Sequence, residues 1–325
     1  MRTPPERLAA GEVVLLDGAT GTELQRRGVP MDDAAWSATA LLTHPDAVRA
    51  VHEDYLRAGA DVIVANTFST GRPLLEKAGL ADRFREMNLL AMRLAREARD
   101  AAARGRAVAV AGSISVWDPP ASPAAARAAF AEQAAVLAEG GADLVALEMM
   151  VSGAEAAVAV EAARGTGLPV WAGLSVRRAA DGGVVLLRDD EPLEDGLAAL
   201  VPAHPDAILI MHSLPGVTGP ALRLLRGAWE GPTGAYAHMG EFTMPEWRWV
   251  GLSSPAEYAA EAEGWVALGA RAIGGCCGLG PEYVEALARR LLGRGRNLRP
   301  RPRKEGRRRP PRYHRRGRAA DGGKS

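Results

Sequence analysis

Residues 255–277, with the sequence PAEYAAEAEGWVALGARAIGGCC, contain the unit whose repetition decides the fold. A Ser-Pro start signal followed by helix-forming residues predicts a helix over 255–267. The short apolar run over 271–274 then predicts a strand, because short and continuously apolar strands are typical of parallel sheets covered on both faces. This strand gives way to two glycines and to Cys276 and Cys277, the two cysteines of the chain. The unit therefore consists of a helix, a buried strand and a loop with two thiols.

The same alternation of helix and strand recurs through the chain. Further strands are predicted over 13–16, 62–65, 107–111, 144–147, 170–174, 207–211 and 234–237. Further helices are predicted over 46–58, 87–103 and 124–139. Eight strands separated by helices predict a (β/α)8 TIM barrel, which usually spans about 250 residues or more. An open doubly wound sheet is the alternative, but no Gly-x-Gly-x-x-Gly fingerprint follows an early strand.

Composition indicates a globular cytoplasmic protein. Hydrophobic residues make up 47% of the 325 residues and aromatic residues 5%. The sequence has neither a leader-like segment nor an apolar stretch of about 18 residues, the length that a membrane span requires. Two adjacent cysteines cannot build a disulfide framework, which suits a reducing cytoplasm. We therefore expect a soluble protein with no membrane contact.

Charge is divided unequally along the chain. Residues 294–325 carry 14 Lys or Arg and two acidic residues, whereas residues 1–293 carry 26 Lys or Arg and 37 Asp or Glu. The basic segment has few apolar residues and four prolines, so it cannot bury a core and is expected to be disordered. We therefore expect a barrel domain over 1–293 and a basic tail over 294–325. The tail is interpreted either as a solvated extension or as a non-specific electrostatic contact for nucleic acid.

Polar and metal-ligating side chains follow the predicted strands at the points where the strands end. These residues are Asp17, Asn66, Thr67, Glu148, His212, His238, Cys276 and Cys277. The carboxyl ends of barrel strands meet at one rim, where barrel enzymes keep their active sites, so we expect these side chains to converge. Adjacent cysteines flanked by glycines are interpreted either as ligands of a soft metal ion or as small buried apolar residues. Their position on the rim favours the metal site.

Six short motifs lie at or near the ends of predicted strands, and their order along the chain is informative. They are DGATGT at 17–22, ANTF at 65–68, GSI at 112–114, LEM at 147–149, GE at 240–241 and GGCCG at 274–278. With these motifs the chain resembles the homocysteine S-methyltransferase family from residue 13 to residue 291. The resemblance implies a zinc-dependent barrel enzyme that methylates homocysteine to methionine.

The resemblance also assigns residues to the amino-acid end of homocysteine. Asp17 and Glu148 are the implied partners of its ammonium group, and backbone N–H groups around Gly18 to Gly21 are those of its carboxylate. Asp17 has a second interpretation, as the cap of a helix that begins after it. Asn66 and Thr67 either contact the substrate or order their loop through side-chain to backbone hydrogen bonds.

Two positions depart from the family pattern. In the family a third cysteine thiolate follows the sixth strand, whereas this chain has His212 there and no third cysteine. The family's Tyr-Pro-Asn segment after the seventh strand contains His238 instead. Three outcomes follow. His212 completes a Cys2His zinc site with an open fourth position, His238 also binds and closes a structural Cys2His2 site, or neither histidine binds a metal.

The methyl donor is constrained mainly by the length of the chain. A single barrel accounts for residues 1–293, so separate folate or cobalamin domains do not fit within this length. A small donor such as S-methylmethionine, S-adenosylmethionine or a betaine-like compound is therefore expected. Trp117 either offers an aromatic face to a cationic donor or packs in a loop. Two other functions stay open. One is a divergent barrel whose altered Cys2His site acts on another thiol or selenol, and the other is a non-catalytic protein that binds nucleic acid through residues 294–325.

Overall fold

The computed structural model describes residues 1–117 and 122–294, which form a barrel of parallel strands surrounded by helices. The eight barrel strands are β1 (Val14–Leu15), β2 (Val62–Val64), β3 (Ala109–Ser115), β4 (Leu144–Met150), β5 (Val170–Leu174), β8 (Ala207–Met211), β9 (Thr233–Tyr236) and β12 (Ala272–Ile273). From β2 onward each strand pairs with the next in this order, and β12 pairs with β1. A parallel bridge from Leu16 to Val62 closes the barrel between β1 and β2.

Most of the helices lie between successive strands and cover the outside of the barrel, whereas the first helix precedes β1 and the last follows β12. They are α1 (Pro4–Ala9), α2 (Thr20–Arg26), α3 (Ala40–Thr43), α4 (Pro45–Ala58), α5 (Arg72–Lys77), α6 (Phe84–Ala102), α7 (Pro123–Glu139), α8 (Gly153–Arg164), α9 (Leu193–Leu200), α10 (Pro215–Ala228), α11 (Pro255–Ala267) and α12 (Pro281–Leu292). Three short 3-10 helices occupy Ser37–Thr39, Ala81–Arg83 and Val201–Ala203. None of the helices that the structure describes combines the length and the apolar character that a membrane span needs.

The predicted (β/α)8 barrel is confirmed, and each predicted strand corresponds to an observed one. The largest difference is in β3, which runs to Ser115 because its pairing with β4 continues through Gly112 and Ser113. The predicted strand 271–274 shortens to Ala272–Ile273. The strand ends there because the following backbone N–H groups depart from the regular hydrogen-bond pattern of the sheet. The backbone N–H of Gly275, for example, donates to the carbonyl oxygen of Asp17, which lies beyond β1.

Two hairpins on the carboxyl-end side of the barrel were not predicted. The first, β6 (Val176–Arg178) with β7 (Val184–Leu186), follows β5, and the second, β10 (Glu241–Thr243) with β11 (Glu246–Arg248), follows β9. Each strand has three residues. Such short strands leave too few residues for a period-2 pattern to be recognised in the sequence.

The core has two layers, set by the alternation of side chains along each strand. Val14, Leu16 and their equivalents on other strands fill the barrel interior, whereas Leu15 and its equivalents pack against the helices. At the amino ends of the strands, the buried carboxylate of Asp61 accepts a hydrogen bond from Leu15 N. Arg294 Nη1 also donates a hydrogen bond of 2.6 Å to Asp61 Oδ1. Arg294, placed in the tail by the sequence, therefore packs on the barrel, and residues 295–325 lie outside the described residues.

Candidate functional site

A cavity opens at the carboxyl end of the barrel, where the predicted site residues were expected to meet. Its described lining includes Asp17, Gly18, Asn66, Glu148, His212, Cys276 and Cys277, together with Tyr236 and five large aromatic side chains. None of the described residues that line it is lysine or arginine. The structure therefore brings most of the predicted residues into one cavity whose fixed charges are acidic.

The two cysteines and His212 form a compact group of donor atoms. Cys276 Sγ lies 3.5 Å from His212 Nδ1 and 3.9 Å from Cys277 Sγ. One ligand atom from each of the three residues lies within 4.8 Å of the others, so the group could hold a metal ion. Both cysteines are 9% exposed. The hydrogen bond with Cys277, followed by burial, raises the pKa of the Cys276 thiol well above its usual range. A cation between the sulfurs would reverse this effect, because a coordinated thiol loses its proton.

His238 is placed beside this group and outside it. Its ring packs against the His212 ring with centroids 4.4 Å apart. Burial, followed by the proximity of His212, lowers the pKa of His238 to about 3. Its Nδ1 atom is buried and has no hydrogen-bond partner among the described residues. The structure groups His212 with the cysteines, whereas it places His238 as a neutral ring that supports His212.

Glu148 is buried beneath the cavity at the end of β4. Ser113 Oγ donates a hydrogen bond of 2.5 Å to Glu148 Oε2. Burial raises the pKa of Glu148, and hydrogen bonds from Ser113 and Tyr236, with the proximity of His212, oppose that rise. The carboxylate is thus held by neutral donors, and no guanidinium or ammonium group of the described cavity lining compensates its charge.

Asp17 lies at the end of β1 and is 3% exposed. It accepts a hydrogen bond of 2.9 Å from Val64 N. Helix α2 begins at Thr20 after the cap residue Ala19, and no described side chain caps it. The alternative interpretation of Asp17 as a helix cap is therefore not supported. Burial raises the pKa of Asp17 well above its usual range, and the proximity of Glu148 raises it further. Two buried carboxyl groups thus face a cavity whose described lining contains no lysine or arginine.

Gly18 forms the cavity wall next to Asp17. A Cβ atom at this position would lie 2.3 Å from the Leu279 carbonyl oxygen and 2.8 Å from the Tyr55 hydroxyl. Only glycine lets the loop after β1 approach the loop after β12 this closely. The backbone at Gly18 is therefore held against the cysteine loop by packing.

Asn66 and Thr67 are both used within the loop that follows β2. Asn66 lines the cavity, but its amide oxygen accepts from Ser37 Oγ and its amide nitrogen donates to Ser37 O, each at 3.0 Å. Thr67 is fully buried, and its hydroxyl group donates to Ser113 O and accepts from Ser113 N, each at 2.8 Å. Thr67 is not among the described lining residues. Its hydrogen bonds order the loop and hold the strand that carries Ser113.

An aromatic wall, formed by Trp36, Phe68, Trp117, Phe242 and Trp247, lines the cavity. Neighbouring ring centroids lie between 5.6 Å and 6.4 Å apart. Trp36 has a positive φ of 47°, which is strained for a bulky residue. Its buried Nε1 has no partner among the described residues. Of these five, the sequence indicated Trp117 as a candidate contact of the donor and included Phe68 only within the ANTF motif, because the five rings come from four loops that are far apart in the chain.

Comparisons with known proteins agree with this geometry. The family model for homocysteine S-methyltransferases matches residues 14–291. The chain is 30% identical over 307 residues to homocysteine S-methyltransferase from Escherichia coli, covering 86% of this chain and 95% of that protein. It is also 30% identical over 318 residues to betaine–homocysteine S-methyltransferase 1 from Bos taurus, covering 88% of this chain and 74% of that protein.

A solved structure extends the comparison to the backbone. The metallated form of the homocysteine methyltransferase MmuM from Escherichia coli superimposes with a TM-score of 0.71 and 29% identity. The match covers 85% of this chain and 95% of the MmuM chain. The likeness therefore extends over most of the chain.

Proposed function

The chain belongs to the homocysteine S-methyltransferase family, and from this membership we propose that it transfers a methyl group from a small donor to the thiol of homocysteine, giving methionine. One observation carries the proposal. The donor group of Cys276, Cys277 and His212 opens into the same cavity as the buried carboxyl groups of Asp17 and Glu148. A thiol and an ammonium group on one small molecule match these two chemically different ends.

We propose zinc as the metal, because the spacing of the donor atoms fits a tetrahedral ion. Zn–S bonds of about 2.3 Å and Zn–N bonds of about 2.0–2.1 Å would place two sulfurs about 3.8 Å apart and a sulfur and a nitrogen about 3.5 Å apart. The corresponding distances here are 3.9 Å and 3.5 Å. Zinc, when bound, supplies a Lewis acid that lowers the pKa of a coordinated thiol. With His212 as the third ligand the protein ligands carry two negative charges, because imidazole is neutral.

The residues of the chain then position homocysteine for the transfer. Glu148 and Asp17 accept the substrate ammonium, which supplies the positive charge that the described cavity lining lacks. Backbone N–H groups that follow Gly18 receive the carboxylate. Ser113 and Tyr236 hold Glu148 so that its oxygen faces the cavity. Holding both ends of the substrate converts attack on the methyl group into a reaction within one complex.

The aromatic wall supports a cationic methyl donor. Sulfonium and quaternary ammonium groups bind to the faces of aromatic rings, most strongly to tryptophan. The wall contains three tryptophans and lines the same cavity as the donor atoms of Cys276, Cys277 and His212. The methyl donor therefore lies against the aromatic wall, and the homocysteine thiol lies against the cysteine loop.

Metal analysis and a methyl-transfer assay test the proposal together. We expect about one zinc per chain and methionine formation from homocysteine with at least one of S-methylmethionine, S-adenosylmethionine and betaine. His212→Cys should retain zinc, whereas His212→Ala and Cys277→Ser should lose most of it. His44→Ala is the matched control, since His44 is exposed and bonds only to its neighbour Thr43 among the described side chains.

Three results would contradict the proposal. One is a metal-free protein that still methylates homocysteine. The second is full zinc content in His212→Ala with unchanged kinetics, which would remove His212 from the ligand set. The third is no methionine formation from any of the three donors by zinc-loaded wild type and by His212→Cys.

A further inference from the structure

The second hairpin, β10–β11, supplies two rings of the aromatic wall and yet has little packing of its own. Of its six strand residues, all but Trp247 are exposed or partly exposed. Phe242 is 40% exposed, whereas Trp247 is 3% exposed. An isolated two-stranded hairpin is only marginally stable in water. The position of Phe242 and Trp247 therefore depends on how the hairpin is attached to the barrel.

The side chain of Trp247 forms one attachment. Its Nε1 donates to Met239 O at 3.1 Å, and Met239 N in turn donates to Cys277 O at 3.0 Å. A Cβ atom on Gly278 would lie 1.9 Å from Met239 O and 3.0 Å from Trp247 Nε1, so the indole ring fills a slot that only glycine leaves open. The same ring packs edge-on against His212, with centroids 6.1 Å apart. Trp247 thus joins the aromatic wall to the cysteine loop.

Gln25 on α2 forms the other attachment. Its Oε1 accepts from Trp247 N at 2.8 Å, and its Nε2 donates to Trp247 O at 3.1 Å. The amide therefore satisfies both backbone groups of this one residue, across 222 positions of the chain. Helix α2 begins directly after the loop that contains Asp17 and Gly18. A rigid helix thereby fixes β11 relative to the amino-acid end of the cavity.

We propose that Gln25 is a positioning residue for the methyl donor, acting through Trp247. This inference rests on the proposed function, because it assigns the aromatic wall to the donor. Gln25 holds the backbone of Trp247 in place through two hydrogen bonds. The indole ring is thereby held in the space between the donor and the cysteine loop. Loss of this hold frees the hairpin and weakens donor binding, while the sites of homocysteine and of the metal stay intact.

Kinetics of Gln25→Met, Trp247→Ala and the double variant test the proposal. Methionine has nearly the length of glutamine and makes neither hydrogen bond. We expect Gln25→Met to raise the KM of the donor about tenfold, which corresponds to the loss of one to two hydrogen bonds. The KM of homocysteine and the zinc content should stay within about twofold of wild type. In the double variant the donor KM should match that of Trp247→Ala alone, because both changes act through one ring.

Arg27→Gln is the control at the end of the same helix, since the described hydrogen bonds of the Arg27 side chain go to Glu23 and Asp54 and not to the hairpin. A second readout needs no turnover: trypsin should cut after the exposed Arg248 faster in Gln25→Met than in wild type or Arg27→Gln. Failure of the proposed function would appear as absent turnover in wild type, with this difference in cleavage still measurable. The proposal is overturned by equal cleavage in all three proteins, by an unchanged donor KM, or by an equal rise in both KM values.

Discussion

Removal of the Ser113 hydroxyl group is the change that tests the amino-acid end of the cavity most directly. Ser113 Oγ donates to Glu148 Oε2 at 2.5 Å, and both side chains are buried. Ser113→Ala leaves Tyr236 as the remaining neutral donor to this carboxylate. If Glu148 binds the ammonium group of homocysteine, the variant must bind homocysteine less tightly.

The size of the effect follows from the kind of hydrogen bond that is lost. A hydrogen bond to a charged group contributes about 1.5–3 kcal/mol, which corresponds to a rise in homocysteine KM of about 10-fold to 150-fold. Burial already raises the pKa of Glu148, and the hydrogen bond from Ser113 opposes that rise. Its loss raises the pKa further, so less of the ionised form is present at a given pH. The defect should therefore be largest at low pH and shrink as the pH rises.

Steady-state kinetics with varied homocysteine, at saturating donor and at several pH values, would measure this effect. Ser115→Ala is a matched control on the same strand, because Ser115 Oγ donates to the Phe68 carbonyl and not to Glu148. Zinc content should be the same in both variants. An equal homocysteine KM in the two variants, or a defect in Ser113→Ala that does not vary with pH, would refute the reasoning.

Further predictions concern stability, the cavity wall and the tail. Burial lowers the pKa of His52 from 6.5 to about 4, so the folded state loses stability as the pH falls from 6.5 towards 4. Between about pH 7.5 and pH 5, wild type should lose about 2 kcal/mol more than His52→Leu in urea unfolding, and exposed His44→Gln should behave as wild type. Gly18→Ala places a Cβ 2.3 Å from the Leu279 carbonyl oxygen, so the Tm should fall, with destabilisation of about 1–3 kcal/mol, and kcat/KM should drop. Truncation after Arg294, which keeps the ion pair with Asp61, should abolish any salt-sensitive binding of RNA without changing the Tm.

Much of the fold followed from the sequence because each barrel strand is short, apolar and buried on both faces. The strand over 170–174 and the helix over 255–267 were predicted with their observed bounds. The short hairpins could not be predicted in the same way, since β10–β11 is placed by Gln25 and by the slot beside Gly278 rather than by its own pattern. Contacts between residues more than 200 positions apart leave no local periodicity.

The candidate site divides in the same manner. The place of Asp17, Glu148, His212 and the cysteines could be predicted, because residues that follow parallel strands must meet at one rim. Which of the two histidines joins the cysteines depended on tertiary structure, which brings His212 Nδ1 to 3.5 Å from Cys276 Sγ and leaves His238 outside the donor group. The use of Thr67 within its own loop was likewise a matter of packing.

By itself, the sequence determined a barrel with two thiols and several acidic groups at one rim, because hydrophobic periodicity and chain order are local properties. Tertiary structure alone decided that five aromatic rings from four loops line the cavity at that rim and that Ser113 and Tyr236 support Glu148. The physical reason is that these contacts depend on distances of a few ångströms between loops. Such distances are set by close packing of the whole barrel, not by the spacing of residues along the chain.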